Sequence, residues 1–301
     1  MMEEVLQPTL SVVVAAWQDA DGLEECLAAL HGQQDEGVET IVVATGNCAR
    51  DAVARFPWVQ LVKAGDALLT PQLWSIGMAR AKCEWVAITT AHFAPAADWV
   101  RTIRQTAARA ENVAGIGGAI DPPRTSNLVD WATYFQRYNA YLHLRQEQTV
   151  NDIAGDNAAY RRGDLLRQAR FLRDGFWEPD FHRLVLAEGK KLLFTPAMRV
   201  TMIRSFGFWR FIGQRFHHGI QFGQARMRGK PAGKKAIGVL LSPLIPAVFF
   251  VKIARRVIGS GRNIGMFFAC LPILSCFLKV WALGEVIGYV TWERTAEPVT
   301  Q

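Results

Sequence analysis

Pro8-Thr9-Leu10-Ser11-Val12-Val13-Val14-Ala15-Ala16-Trp17-Gln18-Asp19, followed by Gly22-Leu23-Glu24-Glu25-Cys26-Leu27-Ala28-Ala29-Leu30, decides how this chain is read. A β-branched apolar run entered from a proline and left through polar residues predicts a buried strand. Apolar residues at 23, 26, 27 and 30 predict an amphipathic helix behind it. Strand, loop and helix together make the first βα unit of a parallel sheet. Ligands of open α/β sheets sit outside the carboxyl ends of the strands, which places residues 15–19 on the rim of a binding crevice. That loop holds none of the glycines of a dinucleotide fingerprint.

The same rhythm recurs. Glu39-Thr40-Ile41-Val42-Val43-Ala44, Trp58-Val59-Gln60-Leu61-Val62 and Trp85-Val86-Ala87-Ile88-Thr89-Thr90 read as further short buried strands, with helical spacing over 49–55 and 71–81 between them. Four such units before residue 100 imply a doubly wound half-domain. Beyond them, Gly115-Ile116-Gly117-Gly118-Ala119-Ile120 reads as a glycine-rich strand. The stretch holding Trp131, Tyr134, Tyr138 and Tyr141 reads as a mobile loop or helix over the site.

With 301 residues, half of them hydrophobic, the chain has material for one large core and an appendage. Its five cysteines are odd in number and form no C-x-x-C pair, which argues against a disulfide framework or a zinc knuckle and for a reducing compartment. The acidic Met1-Met2-Glu3-Glu4 opening predicts no signal peptide. The net charge of +7 is unevenly placed: Arg226, Arg228, Lys230, Lys234 and Lys235 precede the apolar run 236–251, and Arg255, Arg256 and Arg262 precede the apolar run 263–278. Basic clusters flanking apolar segments point to anionic lipid headgroups rather than nucleic acid. Each run is shorter than the ~20 residues of a spanning helix. Two spans would also strand one basic cluster outside, against the positive-inside tendency. Prolines at 243, 246 and 272 allow bent helices, so interfacial or re-entrant insertion is expected, with a two-span hairpin as the alternative. The composition shift near 235 divides the chain into a domain over 1–230 and a membrane-associating helical tail over 231–301.

The ordered set of Ser11 to Trp17, Ile41-Val42-Val43, Ala87-Ile88-Thr89-Thr90-Ala91-His92-Phe93-Ala94-Pro95 with Asp98-Trp99, Gly155-Asp156-Asn157-Ala158-Ala159-Tyr160-Arg161-Arg162 and Gly175-Phe176-Trp177-Glu178-Pro179-Asp180 resembles the inverting family 2 nucleotide-sugar glycosyltransferases of the GT-A fold, over residues 8–225. The resemblance implies an α/β domain with a mixed, mostly parallel sheet, followed here by hydrophobic helices. It also implies a nucleotide-sugar donor, a lipid-linked or envelope-polysaccharide acceptor, and a catalytic domain on the cytoplasmic face of a membrane. Ala15, Ala16, Trp17 and Asp19 would line the base and ribose, with the Trp17 indole as a stacking face; the plain alternative is that Trp17 only packs. Ala44 stands where the family offers a carboxylate to uracil.

At the end of the fourth strand the family carries a D-x-D-type cluster, because a divalent cation such as magnesium or manganese bridging the diphosphate needs hard oxygen ligands. Here the matching residues are Thr90, Ala91 and His92. The histidine fits a subset of the family, but both carboxylates are missing, and a lone imidazole is a poor magnesium ligand. Three readings stand open: transfer without a metal, transfer with a softer or weakly held metal at His92, and a catalytically silent membrane scaffold. For the base that deprotonates the acceptor, the resemblance offers Asp180 first and Glu178 second. Acidic residues in a first helical turn also have a purely structural role against the helix dipole. Asp156 and Asn157 would bond sugar hydroxyls and Arg161 or Arg162 would face phosphate, only one of these adjacent arginines reaching the site from an extended segment. Arg215, His217 and His218 are the candidates for positive charge at the diphosphate, while the adjacent histidines lack the spacing of a zinc site.

Overall fold

The computed structural model describes residues 9–17, 22–35, 37–46, 49–66, 68–203, 207–227 and 230–291. The first half of the chain runs β1 (Leu10–Ala16), α1 (Leu23–His31), β2 (Val38–Thr45), α2 (Ala49–Ala54), β3 (Val59–Ala64), α3 (Thr70–Arg80), β4 (Trp85–Thr90), β5 (Phe93–Pro95), α4 (Trp99–Arg109), β6 (Val113–Asp121) and α5 (Leu128–Tyr138). It continues with β7 (Gln148–Val150), a 3-10 turn (Gly155–Asn157), β8 (Ala158–Arg161), α6 (Arg162–Arg167), α7 (Arg170–Arg173), α8 (Glu178–Ala187) and β9 (Lys191–Met202). The remaining helices are α9 (Phe208–Met227), α10 (Ala232–Leu241), α11 (Ile245–Ser260), α12 (Ile264–Ala269) and α13 (Leu271–Thr291). Packing divides the chain into two units: 1–124 with 144–204, and 125–143 with 205–301. The sequence-based division at 230 leaves α9 with the α/β part, whereas packing groups α9, and also α5, with the tail.

The first unit is a mixed sheet in the order β3-β2-β1-β4-β8-β6-β9-β5, with β7 paired to β9. β1 pairs parallel with both β2 and β4, and β2 with β3. β8 enters antiparallel between β4 and β6. The chain moves outward from β1 to β3 and then returns to β4 on the other side, so the topological switch point lies between β1 and β4, with its crevice outside their carboxyl ends.

β1 is buried along its whole length because both sheet faces are covered. Alternate residues Val13 and Ala15 of β1, Ile41 and Val43 of β2, and Val86 and Ile88 of β4 join one core with Leu73, Trp74 and Met78 of α3 and with Phe176, Phe181 and Val185 around α8. Val12 and Val14, equally buried, face the opposite side of the pleat.

In the second unit α9 and α13 lie in backbone contact. Gly219 and Gly223 of α9 face Gly284 and Gly288 of α13, and a Cβ on Gly219 would overlap the Trp281 carbonyl, one on Gly284 the Phe216 carbonyl. Paired small residues at four-residue spacing are the device by which apolar helices approach this closely. Phe211 packs edge-on to Phe277 across the pair, their ring centroids 4.7 Å apart. α5 brings Phe135 against Phe267, and Arg256 of α11 donates to Asn139 Oδ1 at 2.6 Å. Two helical segments, 236–260 and 271–291, are long and apolar enough to cross a membrane. The first is broken at the 3-10 turn Ser242–Leu244 and is largely exposed, Leu240 at 78% and Val248 at 64%.

Candidate active site

The carboxyl ends of β1 and β4 are tied together. The Ala91 amide donates to the Ala15 carbonyl at 3.0 Å, and the Ile203 amide at the end of β9 donates to the His92 carbonyl at 2.7 Å. Gly22, at φ 91°, closes the loop out of β1 so near the Ala91 carbonyl that a Cβ there would overlap it. Ala15, Ala16, Ala44, Thr90, Ala91 and His92 are all buried. Trp17 is half-buried and packs on the core below, and Asp19 lies outside the described residues.

At the matching end of the neighbouring strands, Oδ1 of Asp66 stands 3.7 Å from the position of a Cβ on Gly46. Asp66 therefore brings a carboxylate to the end of β2 from the loop after β3. Sequence reasoning placed only Ala44 there. The rule that loops after strands line the crevice, applied to Ala64-Gly65-Asp66, would have found it.

The 155–157 turn is clamped to β4 by a hydrogen bond from Thr89 Oγ1 to the Asp156 carbonyl at 2.9 Å. Asn157 is 0% exposed, and its amide is fully engaged: Nδ2 donates to the Ala119 and Met198 carbonyls, and Oδ1 accepts from Trp99 Nε1. It braces β6, β9 and α4, because both its amide nitrogen and its oxygen are taken up by protein groups. Asp156, its neighbour, is buried at the β4 end of the same turn.

Arg161 is also displaced from its expected role. Because β8 runs antiparallel, Ala158 pairs with Ile88 but Arg161 pairs with Trp85, at the opposite end of β4 from the crevice. Its guanidinium lies over the Trp85 ring at 5.3 Å, and Arg162 donates to the Ala81 carbonyl at 2.7 Å.

The two carboxylates of α8 have different surroundings. Glu178 opens the helix, half-buried, with its carboxylate directly over Gly155, so that a Cβ there would overlap Oε1. Asp180 is exposed and held by Arg183 at 2.7 Å, one turn further on. Behind them His182 fastens α8 to the sheet: Nδ1 meets Asp152 Oδ1 at 2.6 Å and Nε2 meets the buried Tyr160 hydroxyl at 2.9 Å. The two ring nitrogens thus join α8 to a carboxylate on one side and to a hydroxyl on the other. None of these three partners was marked by sequence spacing, because they meet only when α8 packs on β8.

Arg215, His217 and His218 belong to α9 in the second unit. The Arg215 guanidinium lies between Phe211 at 4.7 Å and Trp281 at 5.4 Å, and donates to His218 Nδ1 at 2.9 Å. Burial first, and the adjacent Arg215 second, push the His218 pKa down to about 3. His218 is therefore neutral at physiological pH and supplies no positive charge. His217 is exposed, with Nδ1 at 2.8 Å from the Gly213 carbonyl.

The three residues at the position of the D-x-D cluster do not by themselves suit a hard divalent cation. Thr90, Ala91 and His92 offer a hydroxyl, a methyl and an imidazole, and no cluster of three histidine, cysteine or acidic side chains that could hold a metal occurs among the described residues.

A mixed, mostly parallel sheet with its crevice at the β1/β4 switch point is the fold of the GT-A glycosyltransferases, and solved structures share that fold. The mannosyltransferase PcManGT from Pyrobaculum calidifontis, solved in complex with GDP-Man and Mn2+, superposes with a TM-score of 0.59 at 14% identity, over 95% of this chain and 88% of that one. GalNAc-T7, solved with UDP, GalNAc and Mn2+, gives a TM-score of 0.52 at 15% identity, over 68% of this chain and 46% of that one. At these identities the likeness is one of fold. No curated protein sequence gives a significant match. A family model described as Glycosyl transferase family 2 matches residues 11–167, just over half of the chain. The chain belongs to that family and is a glycosyltransferase.

Proposed function

We propose that this glycosyltransferase moves a sugar from a nucleotide-sugar donor to a lipid-linked or envelope-polysaccharide acceptor, with inversion, at the cytoplasmic face of a membrane. The observation that carries the reading is the Glu178 carboxylate, set against the 155–157 turn that β4 holds at the crevice. In the proposed step the acceptor oxygen attacks the anomeric carbon while its proton passes to Glu178, and the bond from that carbon to the diphosphate oxygen breaks with its electron pair leaving on the nucleotide. Attack opposite the leaving group inverts the anomeric centre. Asp180 ranks below Glu178 because it is paired with Arg183 on an exposed face. Ala15, Ala16 and Trp17 form the floor for the nucleotide, and Asp66 replaces the carboxylate absent at Ala44.

The donor set at Thr90, Ala91 and His92 leads us to assign donor binding that needs no divalent cation, although both structural neighbours were solved with Mn2+. The exposed apolar surface of α10 and α11 supports attachment along a membrane face.

The test uses the full chain in detergent with a panel of nucleotide sugars. Product of inverted anomeric configuration by NMR is expected, and Glu178→Gln should lower turnover by about 100-fold to 10,000-fold while donor binding by calorimetry persists. Asp180→Asn should stay within about twofold of the parent, since its pair is exposed. A dead Asp180→Asn beside an active Glu178→Gln would reverse the assignment.

A further inference from the structure

The second unit carries a cavity that the transfer step does not use. It measures about 310 Å³, and its lining combines Arg226, Lys230 and Lys234 with Ile237, Leu241 and Ile245. That volume is at the small end of the ~300–1,000 Å³ range of ligand sites, enough for a headgroup and the first part of a chain.

The charges around it do not cancel. Glu285, buried in the helix pair, takes one edge of Arg226: Nη1 lies 2.8 Å from Glu285 Oε1 and donates to the Tyr289 hydroxyl at 3.2 Å. Lys230 and Lys234 are exposed, with no acidic side chain at ion-pair distance among the described residues. Both stand at the start of α10, whose N-terminus has no side-chain cap and no acidic residue in its first turn. The positive pole of that helix therefore adds to two ammonium groups where an acid would ordinarily compensate it. Beside this charge Ile237, Leu240 and Leu241 are each more than half exposed.

We propose that this cavity binds the phosphate headgroup of an anionic lipid, a phosphomonoester in particular. Lys230 and Lys234 match its two negative charges, and the apolar lining receives the start of its hydrocarbon. A soluble phosphate would leave that apolar lining without a partner. The inference stands apart from the transfer reaction, because its readout is lipid partition and needs no donor sugar.

The experiment measures cosedimentation of the full chain with phosphatidylcholine vesicles doped either with phosphatidate or with phosphatidylserine, matched in zeta potential. The parent should favour the phosphatidate vesicles. Lys230→Gln with Lys234→Gln should weaken that binding by about 30-fold, and the Lys→Arg pair should restore it. Gly238→Leu is the second arm: a Cβ there already meets Met227 and comes within 3.3 Å of the Tyr289 ring. Leucine fills the cavity while adding apolar surface, so general membrane binding should hold and the phosphatidate preference should vanish. Equal binding of the parent to both vesicles overturns the proposal, as does a preference that survives Gly238→Leu. Release from phosphatidate vesicles by inorganic phosphate at a concentration comparable to that of the lipid phosphate would assign the site to a soluble anion and overturn the lipid.

Discussion

The two units are held together by opposite devices. In the first, β-branched side chains of β1, β2 and β4 interdigitate with Leu73, Trp74, Phe176 and Phe181, so the tight packing is made by large apolar groups. In the second, α9 and α13 meet through glycines, backbone on backbone, with Glu285 enclosed between them at 0% exposure and bonded by Arg226, Tyr289 and Trp281. Burial of apolar side chains from water drives the first arrangement. Close van der Waals packing and internal polar contacts, which work as well beside lipid as beside water, sustain the second. The apolar flank of α10 and α11 is exposed, and the proposed attachment to a membrane would cover it.

Breaking the helix pair should have the largest effect on stability. Gly284→Leu drives a side chain into the Phe216 backbone, where neither helix can give way locally, and should cost more than about 3 kcal/mol. Hydrogen exchange would localise the damage: peptides of α9 and α13 should lose protection while those of β1 and β4 keep theirs. Equal loss in both would mean that the units do not fold separately. Deleting everything after Lys235 is a poorer probe, because it removes α13 and leaves the glycine face of α9 uncovered.

A smaller effect sharpens the comparison through pH. The folded-state pKa of His218 is lowered, from 6.5 to about 3, so the unfolded chain takes up a proton first as pH falls. Its stabilising contribution is complete above about 6.5 and declines as pH drops toward 3. Between pH 7 and 5 the second unit should lose about 2 kcal/mol, read as a falling urea midpoint for α9 and α13. His218→Gln should flatten that slope. The smallest effect is expected in the first unit: EDTA should leave donor affinity unchanged in calorimetry, whereas abolished binding would require metal ligands other than Thr90, Ala91 and His92.

Some of the site was legible and some was not, for reasons visible in particular residues. β4 lies over the stretch 85–90 that its apolar run predicts, and the crevice follows from the βα rhythm. Glu178 and Asp180 were both recognisable as the acidic start of a helix. Residues two apart on a helix point about 200° away from each other, so spacing said that the two face differently without saying which one faces the site. Gly155, 23 positions upstream, lies beneath the Glu178 carboxylate, and on that contact rests the proposal of Glu178 as the base. The Gly-x-x-x-Gly spacings at 219/223 and 284/288 were present in the sequence as a packing signal, but a motif does not name its partner.

By itself, the sequence determined β1 to β4 and the helices between them, the βα order that puts a crevice at the ends of β1 and β4, and the apolar character of the tail. These depend on hydrophobic periodicity and local turn chemistry, which act between near neighbours. Only the tertiary structure decided that Asn157 is a brace bonded to residues 99, 119 and 198, that Arg161 points away from the crevice, and that Asp66 stands at the end of β2. It also decided that His218 is neutral and that α5 and α9 join the tail helices. Each of these depends on which distant segments become neighbours, because strand direction, desolvation and hydrogen-bond saturation are properties of the packed surroundings and are carried by no single stretch of chain.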